Sequence, residues 1–137
     1  MRLEGLDDSV LDGGDALPRA AGGTAWRAVC DVDDIVPDTG VCALVDGRQI
    51  AIVRVGETDE LYAVDNFDPF SKAFVLSRGI VGDRAGVPKI ASPVFKQSFD
   101  LRSGQCLDAP EVVIDVFAVR VRAGVVEVAV SEEQRRP

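Results

Sequence analysis

The side chains that could perform acid–base or nucleophilic chemistry are few in this sequence, and they are scattered. The chain has no histidine, so a group titrating near neutral pH would have to be a shifted carboxylate or a thiol. Four aspartates fall in loop-like segments without a partner in the sequence: Asp65, Asp68, Asp83 and Asp100. The three cysteines have no CxxC spacing: Cys30, Cys42 and Cys106. We predict solvated loop aspartates, reduced thiols and no catalysis by the isolated chain.

The spacing of apolar residues predicts the elements that position these groups. Short β-rich runs at residues 41–45, 49–55 and 61–64 are bounded by Gly, Asp or Pro, and Asp46-Gly47 is a strong hairpin signal. Strict alternation around Ala123-Gly124 predicts a C-terminal hairpin, with Phe117 and Val126 on its buried face. Short strands at this spacing favour an all-β fold, an antiparallel sandwich or barrel.

The middle of the chain predicts a smaller unit of hairpins. Residues 79–91 suggest two strands joined at residues 84–86, with Pro88 on an edge strand. Residues 99–107 predict a further hairpin. Residues 68–77 form the one stretch that invites a short helix.

Length, composition and charge limit the class of protein. A chain of 137 residues with 47% hydrophobic and 28% charged residues predicts one globular domain. We place that domain at residues 24–131, between a flexible acidic leader (1–23) and a polar tail (132–137). The net charge of −8 argues against nucleic acid or an anionic membrane as a partner. An acidic N-terminus and the lack of a long apolar run predict a cytoplasmic protein.

Two segments carry a resemblance to a known family. Residues 62–70 are YAVDNFDPF and residues 92–104 are SPVFKQSFDLRSG. This outline resembles the Rieske iron–sulfur family, in which a strand ends in Cys-Pro-His and a second loop carries Cys-Pro-x-His-Gly before a Phe-Asp-Leu-x-Thr-Gly hairpin. The resemblance covers roughly residues 24–131 and implies a Rieske-like fold with a small inserted hairpin lobe. It places four residues at the cluster-ligand positions: Asp68, Phe70, Ser92 and Phe95.

Those four residues do not supply the ligands of a Rieske centre, which are two thiolates and two imidazoles. Carboxylate and hydroxyl oxygens suit an iron–sulfur cluster poorly, and phenylalanine coordinates nothing. The chain is similar to the cluster-free small subunits of cytoplasmic NAD(P)H-dependent nitrite reductases, which make ammonium from nitrite. That resemblance implies a large partner subunit with FAD, an iron–sulfur cluster and sirohaem. The alternatives are a Rieske-type ferredoxin of an oxygenase and a free-standing regulatory β-domain.

The charge distribution suggests where a partner would bind. Residues 68–102 hold six basic and three acidic residues, a net charge of +3. Because the whole chain carries −8, the remaining residues carry −11. A basic lobe on an acidic body could orient a partner. Five of its basic residues are the candidate partner-binding residues: Lys72, Arg84, Lys89, Lys96 and Arg102. We further expect Phe70 and Phe95 either to pack together, or against Pro69 and Pro93, as an apolar clasp, or to point outward as partner anchors.

Overall fold

The computed structural model describes residues 19–20 and 24–135. Most of the predicted acidic leader lies outside the described residues, as do residues 136–137. The division of the chain into leader, domain and tail stays a prediction.

Short strands and tight turns make up the described part of the chain. The strands are β1 Arg19–Ala20, β2 Thr24–Ala25, β3 Arg27–Asp31, β4 Thr39–Val45, β5 Arg48–Val55, β6 Glu60–Asp65, β7 Phe67–Asp68, β8 Ala73–Phe74, β9 Ile80–Arg84, β10 Val87–Ala91, β11 Ser98–Asp100, β12 Val116–Arg122 and β13 Val125–Ala129. Single turns of 3-10 helix lie at Val32–Asp34, Leu76–Arg78 and Glu132–Gln134. Within residues 19–20 and 24–135, no helix is long and apolar enough to span a membrane.

Six strands form the body of the fold. They make one antiparallel sheet in the order β3-β13-β12-β6-β5-β4, which curls into a nearly closed barrel. A separate three-stranded antiparallel sheet, β11-β10-β9, forms the small lobe, and β7 pairs with β8 as a two-residue ribbon. The predicted all-β, Rieske-like barrel with an inserted hairpin lobe is confirmed.

Strand β5 is buried on both faces and joins the two hydrophobic cores. Ile50 and Ile52 face the barrel core, whereas Ala51 and Val53 face the lobe, and all four are 0% exposed. Side chains alternate along a strand, so one apolar run can fill both cores. The lobe is therefore packed against the outer face of the barrel.

The tight turns follow the sequence prediction. Backbone φ is positive at both turn residues of three hairpins, the geometry of turns that match the twist of paired strands. These pairs are Asp46-Gly47, Ala85-Gly86 and Ala123-Gly124. At Gly104, φ is +82° and a Cβ atom would lie 2.0 Å from the carbonyl oxygen of Ile114. Only glycine fits that close approach.

Two local predictions are wrong. Residues 68–77 do not form a helix but the β7–β8 ribbon and the Leu76–Arg78 turn. The ribbon is held by the rings of Phe67 and Phe74, whose centroids are 5.0 Å apart. Pro88 lies on the central lobe strand β10 rather than on an edge strand. Pro88 is tolerated there because its missing N–H would point towards β11, the side on which its carbonyl oxygen accepts a bond from Leu101 N. Strand β11 ends at Asp100, so the proline lies beyond the end of that strand pairing.

The segment after β13 is anchored to the barrel. Gln134 donates from Nε2 to the carbonyl oxygen of Val116 at 2.8 Å, and its Oε1 accepts from Ser131 N at 3.1 Å. Arg48 Nη1 donates to the Gln134 carbonyl oxygen at 2.6 Å. The predicted polar tail thus begins with an ordered turn.

Candidate functional site

The first loop, residues 66–72, is fixed to the barrel through Asn66, which is 2% exposed. Asn66 N donates to the Gln49 carbonyl oxygen at 3.0 Å, and Nδ2 donates to Gln49 Oε1 at 3.3 Å and to Cys42 Sγ at 3.4 Å. Its oxygens accept from Leu76 N and Ser77 N. The backbone and side chain of this one buried residue therefore join the start of the first loop to the barrel and to residues 76–77 that follow the loop.

Asp68 is fully buried and connects the first loop to the second loop, residues 92–97. Its carboxylate accepts hydrogen bonds from Ser92 Oγ at 2.5 Å, Ser71 Oγ at 2.8 Å and Phe70 N at 2.9 Å. The prediction of solvated loop aspartates is wrong for Asp68 and also for Asp100, which is 8% exposed on β11. The structure brings together two of the four positions that resemble cluster ligands, Asp68 and Ser92.

The charge state of Asp68 follows from these contacts. Burial raises the pKa of the carboxyl group, but hydrogen bonds from Ser92, Phe70 and Ser71 outweigh burial and hold it below its ordinary value. Asp68 is therefore ionised at neutral pH, and its oxygens are occupied by donors from both loops. The carboxylate serves as a tie between the loops.

The two loops share one construction. In each loop one member of the Asp68–Ser92 bond is followed by proline, and the backbone N–H two residues later donates back to its side chain: Phe70 N to Asp68 Oδ1 and Val94 N to Ser92 Oγ. Four residues after that member stands a lysine whose N–H donates to its carbonyl oxygen, Lys72 to Asp68 and Lys96 to Ser92. Both lysines have positive φ, 62° and 70°.

The two phenylalanines at the loops are not paired with each other in the structure. Phe70 packs in the lobe core against Phe99, with ring centroids 6.2 Å apart. Phe95 is 57% exposed, and the aromatic contacts of the described residues do not include it. The ring-to-ring clasp is wrong because Phe99, a buried residue of β11, supplies the ring against which Phe70 packs. Packing against Pro69 and Pro93 stays a prediction.

The five candidate partner-binding residues all lie in the loop-and-lobe region, but they differ in their contacts. Arg84 pairs with Asp108 at 3.2 Å, and Arg102 pairs with Asp100 at 3.2 Å. Lys89 is half-buried and donates to Ser98 Oγ at 3.2 Å. The remaining two, Lys72 and Lys96, are exposed and form no ion pair with a residue that the structure describes.

The cysteines lie in separate places. Cys30 packs against the barrel core, Cys106 is buried in the lobe core, and Cys42 is exposed on β4. Burial raises the pKa of Cys30, with further increases from Asp34 and Asp31, and burial also raises the pKa of Cys42. Raised values keep these thiols protonated and unreactive at neutral pH.

Sequence reasoning missed a groove of about 400 Å³ beside the first loop. The apolar side chains of Leu44, Phe67 and Phe74 line it together with polar ones from Arg48, Gln49 and Asp65, and Leu44 is 74% and Phe74 52% exposed. The alternation of side chains along β4 could have indicated this groove. Val45 is buried, so Leu44 faces outward at a position that polar residues usually take.

Comparison with known proteins gives a consistent result. Residues 25–129 match the model of the Rieske-like [2Fe-2S] domain. The NADH nitrite reductase small subunit of Salmonella typhimurium is 43% identical over 102 residues, covering 74% of this chain and 94% of that one. The nitrite reductase [NAD(P)H] large subunit of Klebsiella oxytoca is 43% identical over 99 residues, 72% of this chain and 10% of that one.

A solved structure agrees with these matches. The solution structure of the nitrite reductase [NAD(P)H] small subunit from Erwinia carotovora superimposes with a TM-score of 0.70 at 40% identity. The match covers 82% of this chain and 86% of that one.

Proposed function

The chain belongs to the family of Rieske-like [2Fe-2S] domains, and from this membership we propose that it is the small, non-catalytic subunit of an NAD(P)H-dependent nitrite reductase. The proposal rests on one observation above all: the chain aligns with nearly the full length of a nitrite reductase small subunit at 43% identity. The large subunit would carry sirohaem, an iron–sulfur cluster and FAD. This chain would stabilise or orient that subunit. Its location in the cytoplasm stays a prediction.

The Klebsiella oxytoca relative supports a large-subunit partner. In that protein the matching segment makes up 10% of a large-subunit chain, so domain and large subunit are one polypeptide. We infer that this chain binds the large subunit as a separate chain.

We propose further that the domain works without a cluster, because the residues of the two loops do not fit one. Asp68 and Ser92 bond to each other, and both are fully buried. Phe70 and Phe95 offer no donor atom, and the sequence contains no histidine. Among the described residues, no three His, Cys, Asp or Glu side chains are placed to share a metal ion. These observations support a docking domain rather than an electron carrier.

The lobe that carries the two loops is the proposed docking surface. Its net charge of +3 contrasts with the acidic remainder of the chain, and Lys72, Arg84, Lys96 and Arg102 are exposed. Complementary charge accelerates encounter and fixes orientation. An acidic face on the large subunit would complete the contact.

The experiment that tests this function measures binding of the purified chain to the purified large subunit. We expect saturable binding that weakens between about 50 and 500 mM salt, since the Debye length shortens over that range. Reversal of lobe charge by Lys89→Glu with Lys96→Glu should slow association about 10-fold at low salt and flatten the salt dependence.

The matched control reverses two exposed cations of the barrel, Arg27→Glu with Arg135→Glu. Association rates should then stay within about two-fold of wild type, because a charge outside the contact steers encounter weakly. Equal slowing by both pairs would show that only overall charge matters. Failure of the wild-type chain to bind the large subunit would refute the proposed function itself.

A further inference from the structure

The tip of the second loop presents an aromatic ring to solvent. Phe95 is 57% and its neighbour Val94 47% exposed, although the backbone beneath them is tightly bonded. Ser92 N donates to the Gln97 carbonyl oxygen at 2.9 Å, and Lys96 N donates to the Ser92 carbonyl oxygen at 3.1 Å. An aromatic side chain held out by a fixed backbone loses little freedom on binding, which is typical of interface anchors.

The two lysines that close the loops are placed against their backbone preference. Lys72 and Lys96 have φ of 62° and 70°, a conformation that glycine adopts without cost and a lysine rarely adopts. The chain nevertheless has lysine at the same position of both loops. A lysine in this unfavourable backbone conformation at the same position of two loops points to a role for its side chain.

Three exposed cations of residues 68–102 form no ion pair with a carboxylate that the structure describes, Lys72, Arg78 and Lys96, and two of them lie at these loop ends. Arg84 and Arg102 are neutralised by Asp108 and Asp100, whereas Lys72 and Lys96 pair with none of the carboxylates in the part of the chain that the structure describes. The Asp68–Ser92 bond holds the two loops together, and each lysine lies four residues after one member of that bond. Phe95 immediately precedes Lys96.

We propose that Phe95 inserts into an apolar pocket of the large subunit whose rim is acidic, with Lys72 and Lys96 facing the rim carboxylates. The proposal rests on the proposed function, because it names the part of the lobe that makes the contact. The partner surface is defined by two requirements: an apolar depression of ring size, and carboxylates on at least two sides. Charge complementarity selects this occupant, since neither Lys72 nor Lys96 forms an ion pair with a carboxylate that the structure describes.

The anchor is tested by Phe95→Ala in the full chain, with binding to the purified large subunit as the readout. We expect affinity to fall about 30-fold or more, the loss that marks an interface hot spot, while the melting temperature of the isolated chain stays the same. The control is Leu44→Ala, which removes an exposed apolar side chain of the barrel strand β4, 74% exposed. Its affinity for the large subunit should stay within about three-fold of wild type.

The two lysines are tested by replacement with glycine, which separates an effect on stability from an effect on association with the large subunit. Lys72→Gly and Lys96→Gly relieve the positive φ, so the melting temperature should stay the same or rise. Association at low salt should nevertheless slow about 3- to 10-fold. The control is Ala85→Gly, at φ 54° in an exposed lobe turn, which gives the same relief without loss of charge and should leave association unchanged.

Three results would overturn the inference while leaving the proposed function in place. They are wild-type affinity in Phe95→Ala, an equal loss in Leu44→Ala, and unchanged association in both lysine variants. If the wild-type chain binds no large subunit, the proposed function fails instead.

Discussion

Asp68→Ala should lower the free energy of unfolding by about 3 kcal/mol or more, because hydrogen bonds to a charged acceptor contribute roughly 1.5–3 kcal/mol each. The variant removes the acceptor of three bonds, from Ser92, Ser71 and Phe70, and leaves those donors in the interior between the loops. Urea unfolding of the isolated chain measures the loss. The matched control is Asp83→Ala, an exposed aspartate of β9 that accepts one bond from Gly86 N, which should cost less than about 1 kcal/mol.

A double-mutant cycle locates the origin of the effect. If the loops are tied by the Asp68–Ser92 bond, Asp68→Ala and Ser92→Ala should be strongly non-additive, with a coupling of about 1–3 kcal/mol. Additive losses would contradict the tie and assign the effect of Asp68 to its own loop.

The contribution of Asp68 should also depend on pH. Its pKa in the folded chain lies below the ordinary aspartate value of about 3.9. The group therefore stabilises the fold fully above the unfolded pKa, and the contribution is lost as pH falls through the folded pKa. The difference in stability between wild type and Asp68→Asn should be largest near pH 7 and shrink below about pH 4. A difference that grows on acidification would contradict the assigned direction.

Arg48→Met should be the second strongly destabilising change, with an expected loss of about 3 kcal/mol, since breaking a buried ion pair leaves an uncompensated charge. Arg48 is 3% exposed and binds Asp65 at 2.9 Å, Asp115 at 3.2 Å and the Gln134 carbonyl oxygen at 2.6 Å. Its guanidinium also lies 5.0 Å from the centroid of the Phe117 ring. Methionine keeps the volume but leaves Asp65, whose side chain is 16% exposed, without a cation.

The control is Arg84→Met, which breaks an ion pair with Asp108 in which both side chains are nearly half exposed. Such pairs contribute about 1 kcal/mol or less, so this variant should unfold almost as wild type does. Arg48→Lys should fall between them, because a single ammonium cannot make the forked contact. Equal stability of Arg48→Met and Arg84→Met would contradict a structural role for Arg48.

The fold was predictable where local chemistry and tertiary packing agree. Asp46-Gly47 and Ala123-Gly124 predict hairpins, and both adopt the positive φ values that such turns require. The alternation that places Phe117 and Val126 on the buried face is confirmed, since both belong to the barrel core. Pattern failed at residues 68–77, where a buried aspartate side chain, a proline and a ring pair replace the expected helix.

The site could be predicted only in outline. The resemblance selects Asp68, Phe70, Ser92 and Phe95, but which of them meet depends on contacts distant in sequence. Asp68 and Ser92 bond across 24 positions, whereas Phe70 turns toward Phe99 and Phe95 toward solvent. Arg48 shows the same limit, because in the sequence it is an ordinary charged residue beside a hairpin turn. Its burial follows from the return of the chain at Gln134, 86 positions later.

We propose that side chains, in place of a cluster, hold together the two loops of this Rieske-like frame. The measurement that tests this proposal is iron and acid-labile sulfide per chain after anaerobic reconstitution of the purified protein. We expect far less than one iron per chain and no paramagnetic signal on reduction, because Asp68 and Ser92 bond to each other and Phe70 and Phe95 have no donor atom. Two irons and two sulfides per chain with a defined signal would contradict the account and restore the ferredoxin hypothesis.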